Sequence, residues 1–255
     1  MNVLKAAVFP IAFLVVWQVW MSTSHIQSDS LAAPAQIAVA FWDALRDGTI
    51  FQRTAETLET AVAGLVIGGG SALLISVFLG LVQPASRLAQ FSIEVLRPIP
   101  AVALIPVGLM VLGFGYSMEI ALVAFACFWP VLIYGMSAIT TIEPQLLEVS
   151  RVLRLSSFGR VTKIVLPAAL PRYFVGFRLS AAIALILAVT VEIAANPQGL
   201  GYELMMAAQS LHPARMFAVL LWIGLIGWAL NWVLLFAQRR LFGNITFAAS
   251  EARAQ

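Results

Sequence analysis

Charge is scarce in this chain. Asp, Glu, Lys and Arg make up 11% of its 255 residues against 61% for the apolar types, whereas a water-soluble domain carries about a quarter charged residues. That shortage excludes one large soluble core. Cysteine is nearly absent: Cys127 alone, inside an apolar block, permits neither an internal disulfide nor a thiolate metal site. Lysine and histidine are almost as rare, with Lys5, Lys163, His25 and His212 completing both sets. No GxxxxGK(S/T) phosphate loop occurs, so no nucleotide site is expected in this chain. No catalytic residue, metal ligand or bound cofactor is assigned. Nucleic acid is excluded as a partner because the net charge of +3 comes from residues at the ends of apolar blocks, not from one basic face.

What is present is apolar length. Windows of about twenty residues run without a charge, enough to cross a hydrocarbon layer about 30 Å thick. The blocks predict six transmembrane helices: residues 3–21, 55–82, a third carrying Pro98, Pro100 and Pro106, then 118–139, 174–194 and 216–237. The fold class is all-α integral membrane. Residues 1–255 read as one transmembrane domain. Within it, 1–54 holds the first span and an external connector with the amphipathic stretch AQIAVAFWDALRDG, and 55–215 forms a core with a loop at 140–173. The last span covers 216–240, followed by a cytoplasmic tail at 241–255.

The first span ends near Trp17 and Trp20, where indoles favour the membrane interface; a cleaved signal peptide is the competing reading, but MSTSH lacks a small-x-small site. With both termini cytoplasmic, Lys5, Arg87, Arg97, Arg151, Arg154, Arg160, Lys163, Arg172, Arg178, Arg239, Arg240 and Arg253 fall inside. Only Arg46, Arg53 and Arg215 fall outside. The bias obeys the positive-inside rule. Gly64 and Gly68 have the small-xxx-small spacing of closely packed membrane helices.

The largest cytoplasmic excursion is the loop at 140–173, with EVSRVLRLSSFGRVTKIVLPAALP at its centre. Glu143 and Pro144 predict a helix start. Leu146, Val149, Ser150 and Leu153 share one face, with Glu148, Arg151 and Arg154 on another, in a helix too short to span. Ser156 or Ser157 can cap a second short helix ending near Lys163, after which Leu166-Pro167 and Leu170-Pro171 should bend the chain back to the membrane. Such a pair suits either docking to a partner or lying on anionic lipid.

That segment resembles the EAA loop of permease subunits in bacterial binding-protein-dependent ABC importers. The likeness runs from about Thr54 to Gln209 through RPIPAVALIP, FWPVLIYG, VLPAALPRYFVGFRLS and GLGYEL, and is strongest towards the nitrate, sulfonate and taurine importers. The resemblance implies a type I importer permease in the bacterial inner membrane. Its partners would be a second permease copy or paralogue, two ABC ATPases that hold ATP and Mg, and a periplasmic solute-binding protein, with membrane lipid around it. Glu148, Val149 and Ser150 occupy the family's Glu-Ala-Ala, and Pro167 its closing proline. Arg151, Leu155, Ser156, Phe158 and Gly159 complete the expected docking surface. Arg154 stands where the family usually has glycine, and a non-glycine residue with positive φ costs about 1 kcal/mol, so either the turn differs here or the partner's cleft has changed to accept a long cation.

The pathway is less legible. Pro100 and Pro106 break a span and free carbonyls that only protein or a water-filled cavity can satisfy. Thr190, Glu192 and Asn196 are polar near the outer end of the fifth span; Glu192 either gates a pathway or braces the following ANPQGLGYE loop. Small organic or inorganic anions suit the resemblance, with aromatic acids and pyrimidine or vitamin precursors as open alternatives. Two alternatives from other classes are an ion-coupled carrier or channel, which would use acids such as Glu119 and Glu192, and a membrane-embedded hydrolase at Gly69-Gly70-Ser71, where a closing glycine is missing.

Overall fold

The computed structural model describes residues 3–23 and 31–243, and all regular structure among them is helical. His25, Arg253 and most of the expected tail lie outside those residues. Helix α1 covers Val3–Thr23 and α2 covers Pro34–Arg46, the latter keeping Ile37 and Ala44 buried and Val39 and Trp42 exposed, as the amphipathic stretch requires. Asp47 then ends the connector. Its carboxylate accepts the Thr49 backbone N–H at 2.9 Å and Gly48 turns at φ 74, launching α3, Thr49–Leu81, six residues before the expected start at Ala55.

Helix α3 is about 50 Å long at 1.5 Å per residue, so both ends outreach a hydrocarbon layer. Helices α4, Gln83–Leu96, and α5, Ile105–Leu112, form the expected broken span, joined through a 3-10 turn at Ala101–Leu104 and bent by 79°. Pro98 and Pro100 explain the break: neither donates a backbone hydrogen bond, and each disfavours helix in the residue before it. Helix α6 follows at Tyr116–Thr140.

Past α6, the expected pair of short helices becomes one. Helix α7 covers Pro144–Val152, but α8, Ser157–Arg160, runs on through a π-helical turn at Val161–Val165 into α9, Leu166–Ala194. Pro167 and Pro171 do not end it. In the wide turn Leu166 N–H reaches back to the Val161 carbonyl, and the added residue relieves the clash that the Pro167 ring would have with the carbonyl four residues earlier. Helices α10, Gly199–Gln209, and α11, Pro213–Phe242, complete the chain.

Four helices qualify by length and hydropathy as spans, beginning at Thr49, Tyr116, Ser157 and Pro213, and the bent pair makes five. The sixth expected span corresponds to α1, whose described apolar part, Ile11–Thr23, is shorter. Helices α3, α6 and α9 form the core, burying Leu65, Val123, Leu132, Ala184 and Ala188 among others. A Cβ on Gly68 would stand 2.1 Å from the Ala124 carbonyl oxygen, so the glycine spacing foreseen in α3 is what lets α6 come this close. Polar pairs tie the same helices: Ser76 to Tyr173 at 2.7 Å, and Ser180 to the Cys127 carbonyl at 3.0 Å. Cys127 is buried and free, a packing residue. Helix α11 exposes Trp228, Trp232 and Phe236 as a lipid-facing helix does.

Candidate functional site

Two clusters of expected site residues lie at opposite ends of the α3–α6–α9 core. At the end where α6 finishes, Arg172 of α9 donates to the Thr141 hydroxyl and, at 3.4 Å, to the Ser137 carbonyl, tying together the two stems that carry α7 and α8. Helix α7 stops because Arg154 takes φ 49, and Leu155 N–H closes back on the Ser150 carbonyl at 3.1 Å. This six-to-one closure is a Schellman stop with arginine in the left-handed position, where glycine is usual. Arg154 therefore makes the left-handed turn itself, at about 1 kcal/mol of strain.

Ser156 caps α8: its hydroxyl accepts from Gly159 N–H at 3.1 Å and its carbonyl from Arg160 N–H at 2.8 Å. The two turns leave apolar side chains in the open. Val152 is 82% exposed and Phe158 79%, with Leu146 and Leu153 exposed beside them. Glu148 and Pro167 are exposed, Leu155 and Gly159 half-buried, and Ser150 buried. Val149 and Arg151 belong to α7, but their side chains lie outside the described set.

The opposite end is polar. Arg215 donates to Glu203 at 2.8 Å, Asp47 at 3.2 Å and Thr49 at 2.9 Å, which joins α11 to α10 and to the start of α3. Asp47 is held below its usual carboxylate range chiefly by the Thr49 hydroxyl hydrogen bond. Arg53 pairs with Glu56 at 2.9 Å and lies over the Tyr202 ring. The first three N–H groups of α10 then meet three acceptors: Gly199 to Glu56 at 2.8 Å, Leu200 to the Thr57 hydroxyl at 2.9 Å, and Gly201 to Glu192 at 2.7 Å. A helix N-terminus concentrates unpaired donors and partial positive charge, so carboxylates settle there. Gly199 sits at φ +81, and a Cβ on it would lie 1.9 Å from the Glu192 carboxylate.

Glu119 brings Glu192 and Asn196 together. Glu119 is 1% exposed; it accepts hydrogen bonds from the Thr60 hydroxyl and the Asn196 amide, and Glu192, 2% exposed, faces it. This favours the bracing role for Glu192. The remaining pathway candidates lie elsewhere: Pro100 and Pro106 are exposed at the bend, and Thr190 bonds its own helix at the Ile186 carbonyl, 2.7 Å away. Sequence reasoning passed over the joint role of Arg53, Glu56, Thr57 and Thr60. Their signal was polar residues three and four apart within the opening turns of an apolar run.

Residues 61–246 match the family described as the binding-protein-dependent transport system inner membrane component. An aliphatic sulfonates transport permease of Bacillus subtilis, SsuC, is 29% identical across 88% of this chain and 81% of its own length. The riboflavin transport system permease RibX of Chloroflexus aurantiacus is 31% identical across 84% of this chain and 80% of its own. Among solved structures, the MetNI methionine ABC transporter in its inward-facing form shares the fold, with a TM-score of 0.66 at 18% identity over 75% of this chain and 95% of the matched chain. Together with the all-helical core and its protruding α7–α8 segment, these matches place the chain in the binding-protein-dependent transport system inner membrane component family, as a permease of an ABC importer.

Proposed function

We propose that this permease forms half of the translocation path of an ATP-driven importer for a small organic anion in a bacterial inner membrane. It pairs with a second copy or a paralogue. Both termini and the α7–α8 segment face the cytoplasm, where each of two ATPases, holding ATP and Mg, grips one such segment. A periplasmic binding protein delivers solute to the other end. The observation that carries this reading is the α7–α8 segment: a short helix with a defined stop, tied stems, and Val152, Leu153 and Phe158 exposed on a segment already rich in cations. Exposed apolar anchors rimmed by charge are what a protein-protein interface uses.

The anionic solute is supported by the sulfonate permease among the relatives. Ion coupling is not favoured, because the acids it would use, Glu119 and Glu192, are occupied by Thr60, Asn196 and the α10 N-terminus. Purification of the chain in mild detergent tests the reading. An ATPase should remain bound, and its ATP turnover should rise when solute-loaded binding protein is added. Import by vesicles containing this polypeptide alone would refute it.

A further inference from the structure

Arginines at the two ends of the core differ in what they meet. At the Arg215 end, Arg53 and Arg215 pair with Glu56, Glu203 and Asp47. At the other end Arg178 meets only a neutral amide: it is half-buried and donates to the Gln238 side chain of α11 at 3.1 Å. It lies near the middle of the span that runs from Ser157 to Ala194, where a cation is costly unless it reaches an anion or the interface. The bond to Gln238 sets it beside Arg239 and Arg240, both exposed in the last turn of α11, with Arg240 over the Phe236 ring at 5.5 Å. Among the described residues none of these three guanidiniums pairs with a carboxylate.

An apolar groove of about 320 Å³ starts at the same place. Val66, Gly70 and Leu73 of α3 form one wall and Leu170 and Phe177 of α9 the other, with buried Val131 of α6 between them. Phe174, which also lines the groove, packs edge-on against Phe242, the last residue of α11, at 5.5 Å. Groove and arginines are therefore neighbours. Val66 is 60% exposed and Leu170 45%, and a Cβ on Gly70 would meet nothing within 4 Å. The missing side chain leaves the groove open well inside α3, at a depth that hydrocarbon or another helix reaches. The Tyr173 hydroxyl, the polar group on the wall, is taken up by Ser76 at 2.7 Å.

We infer that groove and arginines together bind an anionic phospholipid. One acyl chain lies along Val66, Gly70 and Phe177, and the phosphate head pairs with Arg178, Arg239 and Arg240, the long Arg178 side chain reaching towards headgroup level. A zwitterionic phospholipid would fill the groove but bring a cation of its own to the three arginines. Free phosphate would leave the groove empty, and a helix of a second copy would fill it without supplying an anion.

The test is native mass spectrometry of the full chain, purified in detergent with whatever subunits remain bound, washed free of lipid, and titrated with dioleoylphosphatidylglycerol or dioleoylphosphatidylcholine. Phosphatidylglycerol should form saturable adducts at a lower concentration than phosphatidylcholine. Gly70→Leu, which fills the groove, should weaken the adducts of both lipids. Arg178→Gln, and Arg239→Gln combined with Arg240→Gln, should weaken phosphatidylglycerol alone, by about fivefold for each arginine removed. Inorganic phosphate should displace neither lipid. Equal binding of the two lipids, or unchanged phosphatidylglycerol binding in Gly70→Leu or in the double arginine variant, would overturn the assignment. So would displacement by phosphate, or loss of a second copy from the complex in Gly70→Leu. If Arg178→Gln does not reach the membrane, the two exposed arginines of α11 decide by the same readout. Solute and ATPase play no part in that readout, so its failure leaves the importer reading untouched.

Discussion

The two ends of the core differ in where their hydrogen bonds go. At the Arg215 end, three side chains meet the first N–H groups of α10, two buried carboxyls share Thr60, Asn196 and a backbone donor, and Arg53 and Arg215 find acids. At the α7–α8 end, hydrogen bonds are spent on local geometry: a helix stop, a helix cap and a tie between stems. Among the described residues nothing covers Val152 or Phe158. An end whose polar side chains bond from helix to helix holds those helices in place, whereas an end with a rigid shape and uncovered apolar side chains has its partner elsewhere. The same contrast explains where strain is tolerated. Arg154 and Leu211 are the described non-glycine residues with positive φ, each at a helix stop: α7 at one end and α10 at the other.

The contrast breaks most sharply at Phe158. Phe158→Asp, and likewise Glu148→Arg, should leave insertion and folding intact but uncouple transport. An interface anchor of this kind is worth about 3 kcal/mol, so ATPase capture in detergent should fall roughly a hundredfold for the phenylalanine variant. Wild-type transport in both variants would remove the docking role. At the other end Gly199→Ala should act on stability instead. Its Cβ would displace the Glu192 carboxylate and fix a residue at φ +81, costing about 2 kcal/mol or more, seen as a lower unfolding temperature in detergent. ATPase capture should change little.

Arg154→Gly sharpens the comparison at a smaller scale. Relief of the left-handed strain, offset by the freedom glycine adds to the unfolded chain, should stabilise the α7 stop by at most about 1 kcal/mol. Slower amide exchange at Leu155 would register it. Affinity for the ATPase should shift as well; no shift would show that the cleft ignores this side chain. The smallest effect concerns Asp47. Its folded pKa is lowered, so the stability it adds is present above the ordinary Asp value of about 3.9 and is lost as pH falls through the lower folded value. Asp47→Asn should remove that acid-side loss, and unfolding temperatures at neutral pH and at about pH 3 would then lie closer together.

Much of this was legible beforehand because single-helix features write themselves into local sequence. Apolar length marked α3, α6, α9 and α11, the glycine spacing of α3 marked its contact with α6, and Pro98 with Pro100 marked the bend. Of the two serines that could cap the second short helix, Ser156 does so. Proline misled at α8, where a π-helical turn absorbs what a regular helix could not. The Glu119–Asn196 bond joins residues 77 apart in sequence, and no local pattern pairs them.

Photocrosslinking in intact cells tests most directly the claim that the α7–α8 segment is where the driving partner binds. With a benzophenone side chain in place of Phe158, ultraviolet light should yield an adduct with an ATP-hydrolysing subunit, while the same group in place of Leu211 at the opposite end yields none. An ATPase adduct from Leu211 and none from Phe158 would contradict the account.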